Sequence, residues 1–134
     1  IANGNYKNPI KKIIENQKCT WFLPKVSKLD ARKRWIIGSI APKGWVVVDP
    51  GAAHAIKNGK SLLPAGVKKI VGEFEKGDHI LIKDQYNMEC ARGLTSFSSI
   101  EIEKIKGSHS SKIKNILGYS SREEIVHKDD LVKV

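Results

Sequence analysis

The stretch GKSLLPAGVKKIVGEFEKGDHILIKD, residues 59–84, constrains the fold of this chain more than any other segment. Two short apolar runs, KIVGEF and HILIKD, are separated by the four residues EKGD, which predicts two strands joined by a hairpin turn. Glycine and proline punctuate the stretch, and none of its residues forms a pairing typical of catalysis. We therefore expect it to serve backbone geometry, with turns and close approaches at six positions along the chain: Gly51, Pro64, Gly66, Gly77, Asp78 and Gly93.

The segments before this stretch mix one helical pattern with several apolar runs. Residues 7–17 predict a short helix that begins at Asn8 and carries an isoleucine stripe at the i, i+3, i+4 spacing. Residues 19–24 predict a short β run, and residues 25–34 a polar connection or a short helical turn. Two further apolar runs, WIIGSI (35–40) and WVVVD (45–49), are joined by the turn signal APKG.

Helix boundaries are signalled clearly in the rest of the chain. Asp49 followed by Pro50 predicts the start of a short helix that stops at Gly59. Ser98 and Glu101 have the spacing of a capping box, and a second short helix is expected over residues 108–117. With about six short strands joined by tight turns, the pattern predicts a mainly β fold with short helices (α+β), a small closed or half-closed barrel rather than a layered parallel sheet.

The charge of the chain is strongly basic and unevenly distributed. The net charge is +10, and residues 1–67 hold 12 Lys/Arg against 3 Asp/Glu, whereas residues 68–134 hold 12 against 11. A basic surface attracts polyanions, so RNA is one candidate partner, and a lysine-rich composition without any such function is the other interpretation. The candidate contacts are seven cations: Arg32, Lys33, Arg34, Lys57, Lys60, Lys68 and Lys69.

Aromatic and titratable residues give weaker signals. Trp35 and Trp45 lie in apolar runs, so we expect them in the core, with stacking against bases as the alternative. The four histidines show no ligand-like spacing, so we predict neither a metal site nor catalytic residues in this chain. Cys19 and Cys90 are expected to be reduced thiols of a cytoplasmic protein, with a disulfide as the less favoured alternative. No apolar run approaches the length of a membrane span, and no contact with a membrane is expected.

Several blocks in one order carry a resemblance to known families. The series VVDPGA, AIKNGKSLLPAGV and GEFEKGDHILI, within residues 46–82, resembles the PUA domain, an RNA-binding-type pseudo-barrel of tRNA- and rRNA-modifying proteins. Together with ARKRWI (31–36), FSSIEIEKIKG (97–107) and VHKDDLV (126–132), it resembles the C-terminal part of bacterial glutamate 5-kinases. Two positions depart from the usual pattern: Cys19 stands where the family usually has Gly, and Pro50 occupies a variable position.

The resemblance implies a division of labour within a longer enzyme of proline biosynthesis. The family has an amino-acid kinase domain ahead of the PUA domain; that kinase domain binds ATP, Mg²⁺ and glutamate and phosphorylates the side-chain carboxylate. On this reading residues 1–34 are the end of the kinase domain and a linker, and residues 35–134 are the PUA domain. The chain begins with Ile, so we expect a piece of a longer polypeptide, and we expect the isolated domain to be monomeric.

The resemblance is compatible with two functions. The first is a non-catalytic accessory domain that contacts the amino-acid kinase domain and requires no cofactor of its own. The second is an RNA-binding module, in which residues 59–66 form a cradle for a nucleic-acid backbone. In the first reading Arg32 and Arg34 pair with carboxylates of the kinase domain; in the second the basic residues neutralise phosphates.

Overall fold

The structure is a computed structural model that describes residues 1–16, 18–23, 27–38, 41–119 and 122–134. One five-stranded mixed sheet, with the strand order β2-β1-β3-β4-β5, forms its centre, and five short helices surround it. The strands are β1 (Gly44–Val48), β2 (Val67–Gly72), β3 (His79–Lys83), β4 (Glu89–Leu94) and β5 (Leu131–Lys133). The helices are α1 (Pro9–Ile14), α2 (Lys28–Gly38), α3 (Pro50–Lys57), α4 (Ser99–Ile105) and α5 (Ile113–Leu117).

This architecture confirms the predicted α+β class, with an open sheet instead of a closed barrel. β2 and β5 are the two edges of the sheet, and the part of the chain that the structure describes shows no pairing between them. The closest approach to closure is an isolated antiparallel bridge between Leu62 and Val126, which ties the connection before β2 to the segment before β5. This bridge and β5 lie on either side of a 3₁₀ turn at Lys128–Asp130.

The predicted hairpin between β2 and β3 is wrong. β1 lies between these two strands, pairing antiparallel with β2 and parallel with β3, with Val46 opposite both Ile70 and Ile82. The EKGD signal does form a turn, because Asp78 Oδ2 accepts a hydrogen bond from the backbone N–H of Glu75 (2.8 Å). Local turn chemistry was therefore correctly inferred, but it does not determine which strands pair, because β1 supplies the intervening partner from earlier in the chain.

Strand alternation places the core on one face of the sheet. In β1 and β3 the residues alternate between fully buried and half-buried, and Val46, Val48, Ile80 and Ile82 are completely inaccessible. This pattern is typical of strands with one face packed on a core. The buried face continues into α3 and α4 through three large side chains: Ile56, Ile102 and Ile105.

Two helices start as their sequences predict. Asp49 Oδ1 accepts a hydrogen bond from the backbone N–H of Ala52 (2.8 Å), with Pro50 as the first residue of α3. At α4 the Ser98 hydroxyl accepts from the Glu101 N–H (3.3 Å), while the Glu101 carboxylate accepts from the Ser98 N–H (2.7 Å), which completes the capping box. Burial raises the pKa of the Glu101 carboxyl, but hydrogen bonds from Tyr119 and Ser98 outweigh it, so the net pKa is lowered.

Close backbone packing explains two of the predicted shape positions. A Cβ at Gly93 in β4 would lie 2.8 Å from the carbonyl oxygen of Asp130 and 2.5 Å from a methyl carbon of Val126. A Cβ at Gly66 would lie 2.4 Å from the Cβ of Ala52 in α3, so the connection before β2 passes very close to this helix. Gly77 has a φ of +91°, the left-handed conformation that favours glycine in a tight turn.

The remaining shape positions have other roles. Pro64 is buried, begins a 3₁₀ turn, and its carbonyl accepts a hydrogen bond from Gly107 (2.8 Å). Gly51 lies in the first turn of α3, where a Cβ would meet only the carboxylate of Asp49 (3.3 Å). No conformational or backbone-packing requirement for glycine is therefore evident at position 51 among the described residues.

Two segments ahead of the sheet differ from their predictions. Residues 28–38 form the 11-residue helix α2, although residues 35–40 were read as an apolar run comparable to residues 45–49. Residues 18–23 contain no strand, so the β run expected at residues 19–24 is wrong for its described part; Pro24 lies outside the described residues. α2 also crosses the predicted division between residues 34 and 35, and it packs against β4 and β5.

The segment ahead of α2 exposes apolar side chains. α1 forms as predicted, but Asn8 adopts a left-handed conformation and its side chain makes no capping hydrogen bond, which corrects that part of the prediction. No residue of α1 is buried, and Ile10 and Ile14 are 72% and 76% exposed. Further along, the apolar side chains of residues 21–23 are all at least 70% exposed. This apolar surface, which we call the N-terminal apolar segment (residues 1–16 and 18–23), lies outside the core described above.

Membrane insertion was tested by helix length and hydropathy. Within the described residues, no helix combines the length and the apolar character that a bilayer crossing requires.

Candidate interaction surface

Three lysines from two parts of the chain line one open groove beside β5. The groove encloses about 480 Å³ and runs between α2, the end of α3 and the last strand. Its lining consists of Lys33, Gly59, Lys128, Asp129, Leu131, Val132 and Lys133. The Lys133 ammonium also donates a hydrogen bond to the backbone carbonyl of Lys57 (3.0 Å), whose own side chain lines a separate cavity with His54 and Tyr86. We call the groove lined by Lys33, Lys128 and Lys133 the lysine groove.

The local backbone explains why these side chains converge. α3 ends at Lys57, and Gly59 then takes a φ of +75°, so the chain turns sharply back towards Leu62 and its bridge with Val126. Lys60 follows directly on this turn and is exposed. Asp129 also lines the groove, so its negative charge offsets part of the positive charge of the lysines there.

Two of the predicted cations lie elsewhere. Lys68 and Lys69 belong to the edge strand β2, where Lys69 is paired with Val47 in the register. The Lys68 ammonium lies 3.7 Å from the carboxylate of Asp49 at the start of α3, and it is 61% exposed. An exposed pair of this kind contributes little to stability, so Lys68 remains accessible to a second anion.

Arg32 faces a different groove from the lysines. Its Nε atom lies 2.5 Å from Oδ1 of Asp130, and Arg122 contacts the other carboxylate oxygen of Asp130 at 3.3 Å. These residues line a second open groove of about 510 Å³ together with Leu29, Glu124, His127 and Asp129. Arg34 is exposed and lines neither groove. The predicted group of seven cations is thus divided over at least three places on the surface.

Neither Trp35 nor Trp45, both predicted to lie in the core, is buried. Trp35 is 58% exposed, and its ring meets that of His79 edge to face with centroids 4.8 Å apart. Trp45 lies on the face of β1 opposite the core, with the Lys83 ammonium 4.6 Å from its ring centroid. The core assignment was wrong, because Trp45 points away from the buried face of β1, and Trp35, next to the buried Ile36, is more than half exposed.

Several residues that shape these grooves were not singled out in the sequence. Lys128 and Lys133 belong to the basic groove, and Asp130 and Arg122 to the ion cluster on Arg32. Asp130 is buried. Its only signal in the sequence was its place before the apolar pair Leu131–Val132, which predicts a strand but not a buried carboxylate.

The cysteines and histidines do not assemble a reactive centre. Cys90 is buried, and desolvation raises the pKa of its thiol. His109 and His127 each accept a backbone hydrogen bond at the start of a 3₁₀ turn. Among the residues that the structure describes, no group of three or more His, Cys, Asp or Glu side chains is arranged to hold a metal ion.

Sequence comparison matches the whole chain to part of longer proteins. It is 64% identical over 134 residues to the glutamate 5-kinase of Pelagibacter ubique, a match that covers 100% of this chain and 36% of that protein. It is 43% identical over 132 residues to the glutamate 5-kinase of Nitrobacter hamburgensis, covering 98% of this chain and 35% of the relative. The chain therefore spans little more than a third of the length of these relatives.

Two solved PUA structures resemble part of the chain, and one family model matches more than half of it. A PUA domain from Aeropyrum pernix K1 superposes with a TM-score of 0.48 at 23% identity, covering 63% of this chain and 41% of that one. A conserved PUA domain protein from Thermoplasma acidophilum gives a TM-score of 0.44 at 24% identity, covering 62% and 47%. The family model described as the PUA domain matches residues 44–117, from the first residue of β1 to the last of α5. The chain belongs to the PUA domain family.

Proposed function

We propose that this chain is the C-terminal PUA portion of a glutamate 5-kinase and acts there as a non-catalytic accessory domain. The observation that carries the proposal is the end-to-end match, at 64% identity, to about a third of such an enzyme. In this proposal ATP, Mg²⁺ and glutamate bind to the amino-acid kinase portion in the cytoplasm. The present chain stabilises that portion or modulates its response to proline and Mg²⁺.

The N-terminal apolar segment supports a partner of this kind. Ile10, Ile14 and the run Trp21–Leu23 expose apolar side chains that the core described above does not cover. Contiguous exposed apolar surface marks interaction sites in folded proteins. An amino-acid kinase portion that precedes the PUA fold in the same polypeptide is the partner that accounts for this surface.

Modulation requires that the accessory domain contacts two states of the kinase portion unequally. A domain that binds both states with the same affinity shifts no equilibrium. The stretch from Arg32 to Ile36 is the proposed coupling element, because it lies in α2, between the N-terminal apolar segment and the sheet.

Deletion in the Pelagibacter ubique relative tests the accessory role. We expect an enzyme that lacks the part matching residues 28–134 to phosphorylate glutamate still, but with altered inhibition by proline or altered dependence on Mg²⁺. The present chain alone should give no turnover with glutamate, ATP and Mg²⁺. Complete loss of turnover in a truncated enzyme that remains folded would assign this portion to the catalytic machinery instead.

The lysine groove favours a second candidate function, the binding of RNA. Lys33, Lys128 and Lys133 line one groove, and such sets of cations neutralise successive phosphates. Binding to tRNA or duplex RNA should weaken steeply with salt, and Lys133→Glu should lower the slope by about one phosphate contact. Lys104→Glu, on the exposed face of α4, is the matched control. Absence of binding at low salt would remove this candidate.

A further inference from the structure

Helix α2 buries one side chain, that of Ile36, against the rest of the fold. Ile36 is its only buried residue, with 1% exposure, whereas Leu29, Trp35 and Ile37 are each about half exposed or more. A helix of 11 residues is marginal in isolation, so its stability depends on what it packs against. The loss of one strong contact on its inner face should therefore weaken the attachment of α2 to the sheet considerably.

The described contacts of α2 include one ion pair, between Arg32 and Asp130. Arg32, Trp35 and Ile36 have the i, i+3, i+4 spacing that places side chains side by side. Ile36 enters the interior, the Trp35 ring meets His79 edge to face, and Arg32 Nε contacts Asp130 Oδ1 at 2.5 Å. The ion pair lies four residues before the buried isoleucine.

Asp130 is fixed from the side of the sheet. Its side chain is 11% exposed, its N–H donates to the carbonyl of His127 (2.9 Å), and its own carbonyl oxygen lies beside Gly93 in β4. Arg122 supplies the second cation, at 3.3 Å and itself 59% exposed. A nearly buried carboxylate needs a charged partner, because a buried charge without a partner destabilises the fold strongly.

We propose that Asp130 is a positioning residue that sets whether α2 is docked on β4 and β5 or detached from them. With Arg32 in place the helix is docked; without it, the attachment of α2 depends more heavily on the packing of Ile36 and on the contact between Trp35 and His79. The consequence for regulation rests on the proposed function: the docked helix would transmit the state of a preceding kinase portion to the PUA fold, and a detached helix would not.

Amide hydrogen exchange on this chain tests the proposal directly. We expect Arg32→Met and Asp130→Asn to raise the amide exchange rates in α2 roughly tenfold, which corresponds to about 1.4 kcal/mol in the opening equilibrium of the helix. The amides of β1 and β3 should exchange at unchanged rates. Lys33→Met, one residue along the same helix, and Asp129→Asn, beside the buried carboxylate, are the matched controls. Both controls should change α2 exchange by less than about twofold.

Three outcomes would overturn the proposal. The first is unchanged α2 exchange in Arg32→Met, which keeps the Asp130–Arg122 pair and so should remain folded. The second is an equal rise in α2 and in the central strands, which would make the ion pair a general stabiliser of the fold. The third is α2 amides that already exchange freely in the parent chain.

A second arm separates this proposal from the proposed function. Arg32→Met, introduced at the matching position of a full-length glutamate 5-kinase, should change proline inhibition while kcat without proline stays within about twofold. If α2 loosens in the exchange experiment but inhibition is unaltered, the docking role of Asp130 stands and the regulatory role of the domain is refuted.

Discussion

Replacement of Gly93 by alanine should destabilise the sheet strongly. The added methyl group would lie 2.8 Å from the carbonyl oxygen of Asp130 and 2.5 Å from a methyl carbon of Val126. Ordinary van der Waals contact needs at least about 3.4 Å, so one side must move by more than half an ångström. β4 cannot shift easily, because it is hydrogen-bonded to β3 on one side and to β5 on the other.

The expected loss of unfolding free energy is about 2–3 kcal/mol, the upper part of the range for overpacked interiors. For a domain of this size that corresponds to a fall in Tm of roughly 6–12 °C. Urea and thermal unfolding, followed by circular dichroism, measure both quantities. Gly38→Ala is the control, because among the described residues no atom lies within 4 Å of a Cβ built there.

The control should be neutral or slightly stabilising, since alanine favours helix over glycine. A Gly93→Ala protein within about 0.5 kcal/mol of the parent would refute the reasoning, because ordinary surface substitutions cause changes of that size. It would mean that β5 and the segment around Val126 can separate from β4 at little cost.

Three further predictions concern single side chains. Ser98→Ala should cost about 1 kcal/mol in urea unfolding through loss of the α4 cap, whereas Ser110→Ala, whose hydroxyl makes no hydrogen bond with a described residue, should cost far less; equal losses would contradict the role of the cap. Because the pKa of Glu101 is lowered in the folded state, its charge stabilises the fold above the unfolded pKa of about 4.3, and this contribution is lost as the pH falls through the folded value. Glu101→Gln should therefore be less stable than the parent at pH 7, with a difference in Tm that shrinks towards pH 3; a constant difference would count against the charge. Finally, burial and a raised pKa should make the Cys90 thiol react with a thiol reagent more slowly than the half-buried Cys19, which mass spectrometry of the labelled peptides would show; faster labelling of Cys90 would contradict the packing around β4.

Signals that act within a few residues predicted local structure well. The cap at Asp49, the capping box at Ser98 and the stop at Gly118, which has a φ of +79°, each depend on side chains or dihedral angles of immediate neighbours. Their physics is contained in the segment itself, so no knowledge of the tertiary fold was needed to read them.

Pairing and orientation depended on distant parts of the chain and were predicted less well. The turn at Gly77 suggested that its flanking strands pair, but β1 lies between them in the sheet. Trp35 and Trp45 adjoin buried residues in sequence, yet which face points inward follows from the docking of α2 and from the register of β1. The lysine groove combines residues from three separate segments, and linear spacing carries no signal for such a convergence.

The docking of α2 on β5 brings a helix that precedes the sheet against its last strand. Val134, directly after β5, donates its N–H to the carbonyl of Cys90 (3.2 Å), next to the hairpin between β3 and β4, where Tyr86 and Met88 are exposed. Exposed loop tips tolerate inserted segments, so this hairpin can accept an insertion without changing the strand order. A reporter fused after Val134 would, for the same reason, sit beside the hairpin.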